Sequence, residues 1–593
     1  MTLITCHGLV EPTGGLTTSR DTRPEHEHGG RLTARGASRL AVITQRITGQ
    51  HGDPNQSDRK PSGQQTPCDT TATSVGIGSD RRIPAATPPA GGGRIQANPQ
   101  ATTQRCAVAG ETRSGPVTCN SPGRPTSSGE PDACLPARIA RSAQAVDGAG
   151  RSLWEFHQWF GEYSASDSSR VRRIPWDDLT GWRFEDRTGN LVHETGRFFS
   201  IQGLRIRNDQ GPVRDWAQPI IVQREVGILG ILVKEFNGVL HCLMQAKMEP
   251  GNRNGIQLSP TVQATRSNYT GVHGGRPVPY LEYFRDPPSR QVLADVLHSE
   301  QGSWFHRKRN RNMIVEVTED VEPLDGFHWL TIGQLHALLA EDDLVNMDSR
   351  TVLSCLPFAG GPDGGDENGD RRAPHTMGHL RSWINDARVR SDLDATLTGL
   401  GEVQGWHRSA DRIAHESGLF FDVMAVDVRT GSREVGGWAQ PMIECRDTGI
   451  VAFLVRRDAA TGWLHALVHL KAEPGFVDVV ELAPTVQCTP QNYKVLPAEA
   501  YPPFLDEVLG APADAIRFDT MLSEEGGRFF HTRSRYLVVE VDADRDLAVP
   551  DDFRWVTMRQ LARLLRHSHY VNVQARSLIA CLHGLMSETG LSD

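Results

Sequence analysis

The 593-residue sequence contains no run of 18 or more apolar residues, which leaves no segment suited to cross a bilayer as a helix. Its first residues, MTLITCHGLVEPTGG, lack the basic start and the apolar stretch of a secretory signal. Ten cysteines fall singly, without a C-x-x-C pair, so neither a zinc ribbon nor a dithiol redox site is indicated. Reduced thiols in the cytoplasm are the simplest expectation. There is no excess of basic charge: the formal net charge is −9 and the pI is near 6.2, which gives no general attraction to nucleic acid or to an anionic membrane. No convincing G-x-G-x-x-G strand–helix unit is present, so no nicotinamide-binding domain is expected.

What is present divides into regions. Residues 1–148 are rich in Pro, Gly, Ser, Thr, Gln and Arg, with apolar pieces too short to offset the entropy of ordering. This tract is expected to be disordered. No methionine occurs between Met1 and Met244, so the tract is also a candidate upstream extension, which mass spectrometry of the native N-terminus tests. From RSLWEFHQWF (151–160) onward, two modules follow, about 149–358 and 377–593, joined by a Gly/Asp-rich linker at 359–376. Matching positions lie 222 apart at WAQP (216–219 and 438–441), 224 apart at Lys247 and Lys471, and 226 apart at Phe327 and Phe553. Small monotonic drift of this kind means one duplicated domain with short loop insertions.

Each module reads as mixed α/β (α+β). Residues 227–247 hold two apolar runs joined by Asn237-Gly238, a hairpin signal. Further β-rich runs are 312–317 and 536–541. The spacing in SRQVLADVLHSEQG (289–302) predicts a helix. WLTIGQLHALL (329–339) and WVTMRQLARLL (555–565) place Thr as N-cap before an amphipathic helix, and 349–356 with 575–582 give one more short helix per module.

The repeat keeps polar residues as well as apolar ones. KMEPGNRNGIQLSPTVQATRSNY (247–269) and KAEPGFVDVVELAPTVQCTPQNY (471–493) share Lys, Glu-Pro-Gly, Pro-Thr-Val-Gln and Asn-Tyr, and SEQG (299–302) answers SEEGGRFFH (523–531). Packing alone does not call for such residues, so a duplicated site is expected. At these motifs the sequence resembles the NDP-hexose 2,3-dehydratase family of deoxysugar biosynthesis, over roughly residues 150–590. The resemblance implies tandem Nudix-like folds, a homodimer, and a dTDP-4-keto-6-deoxyglucose substrate that loses water across C2 and C3 in a route to antibiotics. No hydride moves in such a reaction and the ketone is already in the substrate, so no cofactor is expected and a metal is not obligatory; the implied pathway partner is a downstream NADPH-dependent 3-ketoreductase. A catalytic Nudix box needs a Glu-rich helix; the nearest piece, QREVGILGILV (223–233), lacks those carboxylates and reads as strand. Diphosphate hydrolysis is therefore the weakest alternative, behind a non-catalytic nucleotide-sugar binder.

Dehydration requires a base at C3, an acid near O2, and donors facing O4. Lys247 and Lys471 are candidate donors, Tyr269 and Tyr493 candidate acids or donors, and Glu300, Glu524, His306 and His531 candidate bases, with His306 paired to His531. For nucleotide binding, the helix start Thr557, Met558, Arg559, Gln560 offers backbone N–H groups and a guanidinium to a diphosphate. The loops Ser299, Gln301, Gly302, Ser303 and Ser523, Glu525, Gly526, Gly527, Arg528 offer amides and hydroxyls. Asn268 and Asn492 accompany the tyrosines, and Trp216 and Trp438 present flat faces to a base or sugar. Helix caps, turns and core packing explain the same residues equally well one at a time. His465 and His469 read as core or surface histidines, and HSHY (567–570) as a surface turn. The greater charge around its glycine loop favours the second module for catalysis.

Overall fold

The Asn237-Gly238 pair turns the chain as its sequence demands: both residues have positive φ (51° and 80°), joining strands Gly227–Phe236 and Val239–Met248. In the computed structural model, which describes residues 135–146, 152–270, 276–357, 373–459 and 462–588, this hairpin lies within a seven-stranded sheet. The strand path is Val292–Ser299, Arg309–Val317, Gly227–Phe236, Val239–Met248, Phe327–Thr331, with two short strands, Ile256–Ser259 and Val262–Ala264, added to the hairpin. Arg309–Val317 runs parallel to Gly227–Phe236, and the other pairs are antiparallel. The second module repeats the sheet with Ile516–Ser523, Arg533–Glu540, Gly449–Arg457, Leu464–Ala472 and their partners, Ser534 pairing with Gly449 as Asn310 pairs with Gly227. Mixed α/β architecture in two tandem repeats is thus realised.

The expected helix at 289–302 is instead the strand Val292–Ser299, paired with Arg309–Val317 along its length. Apolar residues at 292, 293, 296 and 297 suit either period, and the neighbouring strand decides. Order also begins before residue 149. Leu135–Gln144 is a helix with Ile139 and Ala143 buried, and Ser142 accepts a bond from the Ile332 amide. Leu135, Ile139 and Ala143 recur at i, i+4, i+8, a stripe too short to stand out in a Pro/Gly-rich tract. The remainder of 1–148, residue 358 and the linker residues 359–372 lie outside the described residues. The N-caps hold: Thr331 and Thr557 each form a reciprocal capping box, with Gln334 and Gln560.

The modules exchange their first strands. Arg170–Ile174 pairs with Phe421–Arg429 of the second module, and Leu393–Thr398 pairs with Ser200–Asn208 of the first, giving two five-stranded sheets of mixed parentage. Between the seven-stranded sheets, helices Met347–Leu353 and Val573–Glu588 pack together in one core that draws on both modules. Each helix carries a fully buried arginine. Arg350 donates to the carbonyls of Val345 and Ser523 (2.6 Å each), and Arg576 to those of Val571 and Ser299 (2.7 Å each). Each arginine therefore grips the loop of the opposite module. No described helix is long and apolar enough to cross a membrane.

Candidate active site

The duplicated polar motifs meet crosswise. In the first module, the turn after strand Val239–Met248 brings Gly251, whose amide donates to Gly526 O (2.7 Å) while the His531 amide donates to Gly251 O (2.8 Å). The mirror contact joins Gly475 to Gly302 and Arg307. These contacts make Arg307, not His306, the counterpart of His531, and His306 stands where Phe530 does. The pairing of the two histidines is corrected by one position. The glycines are required by proximity: a Cβ on Gly251 would lie 1.8 Å from Phe529 O, and one on Gly475 1.9 Å from Phe305 O.

One such crossing encloses a cavity of about 340 Å³. Lys247, Glu249, Gln263, Asn268, Lys308, Asn310 and Asp348 enter from the first module, and Trp438, Gln440, Glu525, Gly527 and Arg528 from the second. Trp182, Phe198 and Phe199 form an aromatic wall, and Arg276, Arg433 and Glu434 also line the cavity. The alternation of strand Val239–Met248 aims Lys247 inward, and Lys247 donates to Gln263 O (3.1 Å). The Gln263 amide donates to Glu249 Oε1 (2.8 Å), leaving Oε2 buried with no partner among the described residues. Lys308 donates to Glu225 O (2.5 Å) and Asn310 Oδ1 (2.9 Å), and Asn310 passes a bond to Glu300 Oε1 (2.7 Å). The Trp438 indole donates to Gln440 (2.8 Å), whose amide holds Gly527 O (2.7 Å). The ring and the glycine loop are thereby set relative to one another.

Electrostatics follow from putting these charges where water is scarce. Burial pushes Lys308 down to about 8, against the pull of Glu300 and Glu525. Lys247 is lowered by burial and by Arg433. Burial lifts Glu525 to about 7, with Arg528 opposing and Glu249 and Glu300 adding to the rise. Asp348 is held well above the usual carboxylate range by burial and by Glu525, Glu300 and Glu249. Burial also resists ionisation of Glu434, but Arg433 and Lys247 outweigh it and hold that carboxyl at about 2. Proton donors and acceptors with displaced affinities thus share one space.

Of the residues singled out from sequence, Lys247, Asn268, Trp438, Glu525, Gly527 and Arg528 line this cavity. The others are placed elsewhere. Glu300 stands behind Asn310, and Tyr269 packs against an apolar cluster with Tyr280 and Phe284. Ser299 donates to Glu481 (2.6 Å), Ser523 to Gln257 (2.8 Å), and Gln301 to Glu524 (2.9 Å), all within the buried contact between modules. Glu524 also accepts from Ser534 and Tyr536. Gly302 lies against Phe476, and Gly526 against Asn252. Ser303 O accepts from Gln218, which the Trp216 indole holds in turn. The His531 ring stacks on Phe530 at 4.0 Å, and the His306 amide bonds Ile221 O.

Lys471 repeats the Lys247 bond more weakly, to Gln487 O at 3.5 Å, and Asn492 accepts from the Phe420 amide; Tyr493 is partly buried beside Tyr501. The helix start at Thr557 is occupied by its own cap, with Met558 and Gln560 buried and Gln560 bonded to His375 O; Arg559 is half-buried nearby. None of Thr557–Gln560 lines the cavity, so the diphosphate expectation does not find its place there.

Residues the sequence did not single out include Glu249, Lys308, Asn310 and Asp348. Glu249 belongs to the shared Glu-Pro-Gly, opposite Glu473, whereas the signal for the others lay in the mismatches between modules: Thr532 stands opposite Lys308, Ser534 opposite Asn310, and Gln574 opposite Asp348, as Gln301 does opposite Glu525 and Trp304 opposite Arg528. The cavity draws its lining from both modules, and charge concentrates where the second module's glycine loop meets the first module's strands.

The family model described as NDP-hexose 2,3-dehydratase matches residues 153–356 and again 377–582. A dTDP-4-dehydro-6-deoxy-alpha-D-glucopyranose 2,3-dehydratase of Amycolatopsis orientalis is 51% identical over 456 residues, covering 76% of this chain and 94% of the relative. Similarly named proteins of Saccharopolyspora spinosa and Streptomyces violaceoruber are 50% and 48% identical, covering 73% and 72% of this chain and 91% and 97% of their own lengths.

Proposed function

This chain belongs to the NDP-hexose 2,3-dehydratase family, and we propose that the cavity between Lys247 and Arg528 is where it works. The enzyme is a hydro-lyase that removes water across C2 and C3 of dTDP-4-keto-6-deoxyglucose, giving a 3,4-diketo-2,6-dideoxy sugar nucleotide. The C4 ketone acidifies the C3 proton, and the enolate expels the C2 hydroxyl. Lys247 and Lys308 face O4 and stabilise the enolate oxygen as charge develops. Glu249, with its buried and unpartnered Oε2, takes the C3 proton. Arg276, Arg433 and Arg528 hold the diphosphate, and thymine lies toward Trp438 and the aromatic wall. The observation that carries this reading is the meeting of two buried lysines with two buried carboxyl groups, Glu249 and Asp348, each with one oxygen lacking a partner among the described residues, in one cavity.

We also read each mixed sheet, with its single parallel pair beside a hairpin, as Nudix-like. The enzyme is taken to act as a cytoplasmic homodimer in antibiotic deoxysugar biosynthesis, its product passing to an NADPH-dependent 3-ketoreductase. Incubation with dTDP-4-keto-6-deoxyglucose, that reductase and NADPH should give a 2,6-dideoxy-4-keto sugar nucleotide. K247M should abolish turnover and K471M retain it. Unchanged sugar with the wild-type enzyme defeats the reading, and activity in K247M but not K471M moves the site to the other crossing.

A further inference from the structure

Given that reaction in that cavity, one proton remains unassigned: hydroxide is a poor leaving group, and O2 must be protonated as the C2–O bond breaks. The donor must reach the cavity, be free of other hydrogen-bond duties, and carry its proton at neutral pH. Asp348 lines the cavity from the first turn of helix Met347–Leu353, is only 3% exposed, and has an Oδ1 with no partner among the described residues. Its counterpart at the other crossing is Gln574, which cannot supply a proton. Glu249 has one oxygen engaged by Gln263, Glu300 stands behind Asn310, and Glu525 lies close to the Arg528 guanidinium.

We propose that Asp348 is the catalytic acid that protonates the departing C2 hydroxyl. Glu249 takes the C3 proton and the C–H electron pair forms the enolate. Collapse of the enolate breaks the C2–O bond, and hydroxide leaves as water with the Asp348 proton. The product is the enol with a C2–C3 double bond. Its O3 proton returns to the Asp348 carboxylate, and the proton held by Glu249 is delivered to C2, so both groups regain their starting state. The environment suits this role: burial and the neighbouring Glu525, Glu300 and Glu249 favour the neutral acid, with Lys247 as the opposing charge.

The test separates the two proton transfers. Wild type, D348N and D348Q are incubated with dTDP-4-keto-6-deoxyglucose in deuterated buffer; product is trapped with the reductase and recovered substrate is examined by NMR for deuterium at C3. The amide of D348N is nearly isosteric with the protonated acid, and D348Q reproduces the sibling position. Both variants should lose dehydration by about 10²–10⁴-fold while still exchanging the C3 hydrogen above the enzyme-free rate, and D348E should restore part of the dehydration. Loss of exchange together with dehydration, or retention of both, overturns the assignment. A wild-type enzyme that forms no product would instead refute the dehydratase reading on which it rests.

Discussion

Replacing Arg350 by methionine tests how far the composite site depends on the contact between modules. Arg350 is fully buried and donates to Val345 O and Ser523 O at 2.6 Å and to Ser577 Oγ at 3.3 Å. It also lies over the Tyr536 ring at 5.4 Å and favours ionisation of the buried Glu524. Hydrogen bonds from a charged group contribute roughly 1.5–3 kcal/mol each. Methionine fills similar volume and relieves the guanidinium's own desolvation, so these do not simply add. What remains is two buried carbonyls that have lost this donor and Glu524 without the cation that favours its ionisation, for which a loss of about 3–5 kcal/mol is expected. Urea unfolding of wild type and R350M measures it directly. Because Ser523 leads into the loop bearing Glu525 and Arg528, kcat/KM should fall as well, by about 10²-fold for a displacement near 1 Å. A stability loss under about 1 kcal/mol with unchanged kcat/KM would refute the claim that this arginine fixes the loop.

Two further outcomes follow from the same geometry. Glu525 is raised to about 7 in the folded protein from an ordinary value near 4.5, so between those pH values the folded state holds more protons than the unfolded one and stability declines as pH rises. E525Q should flatten that decline, matching wild type near pH 4 and exceeding it at pH 8; parallel unfolding curves across the range would contradict the shift. Separately, residues 152–357 expressed alone lack strand Leu393–Thr398 and the Trp438 and Arg528 side of the cavity. Neither this half nor 373–588 should bind dTDP by calorimetry, and turnover by either half alone would show that the crossing is dispensable.

Local chemistry was legible in the sequence wherever short-range geometry governs it. Asn237-Gly238 dictates a turn because both positions need positive φ, and Thr331 and Thr557 cap helices because a Gln three residues later returns the bond. The strand at 292–299 was not legible, since its apolar spacing fits two periods and only pairing with Arg309–Val317 selects one. Site residues divided along a similar line. Those shared by both modules, such as Ser299 with Ser523 and Gly302 with Gly526, largely build the contact between modules. Among the charged residues lining the cavity, Lys308, Asp348, Glu525 and Arg528 stand where the modules differ.

The sequence by itself determined the duplication, the mixed α/β elements, and the family, because periodicity, turn residues and long motifs are properties of adjacent residues. Only the tertiary structure decided that first strands are exchanged and that the loop of one module completes the pocket of the other. Those facts depend on residues far apart in the chain, such as Gly251 with Gly526, 275 positions on, and Asn208 with Leu393, 185 positions on. Burial at that junction, in turn, sets the proton affinities that linear order cannot encode.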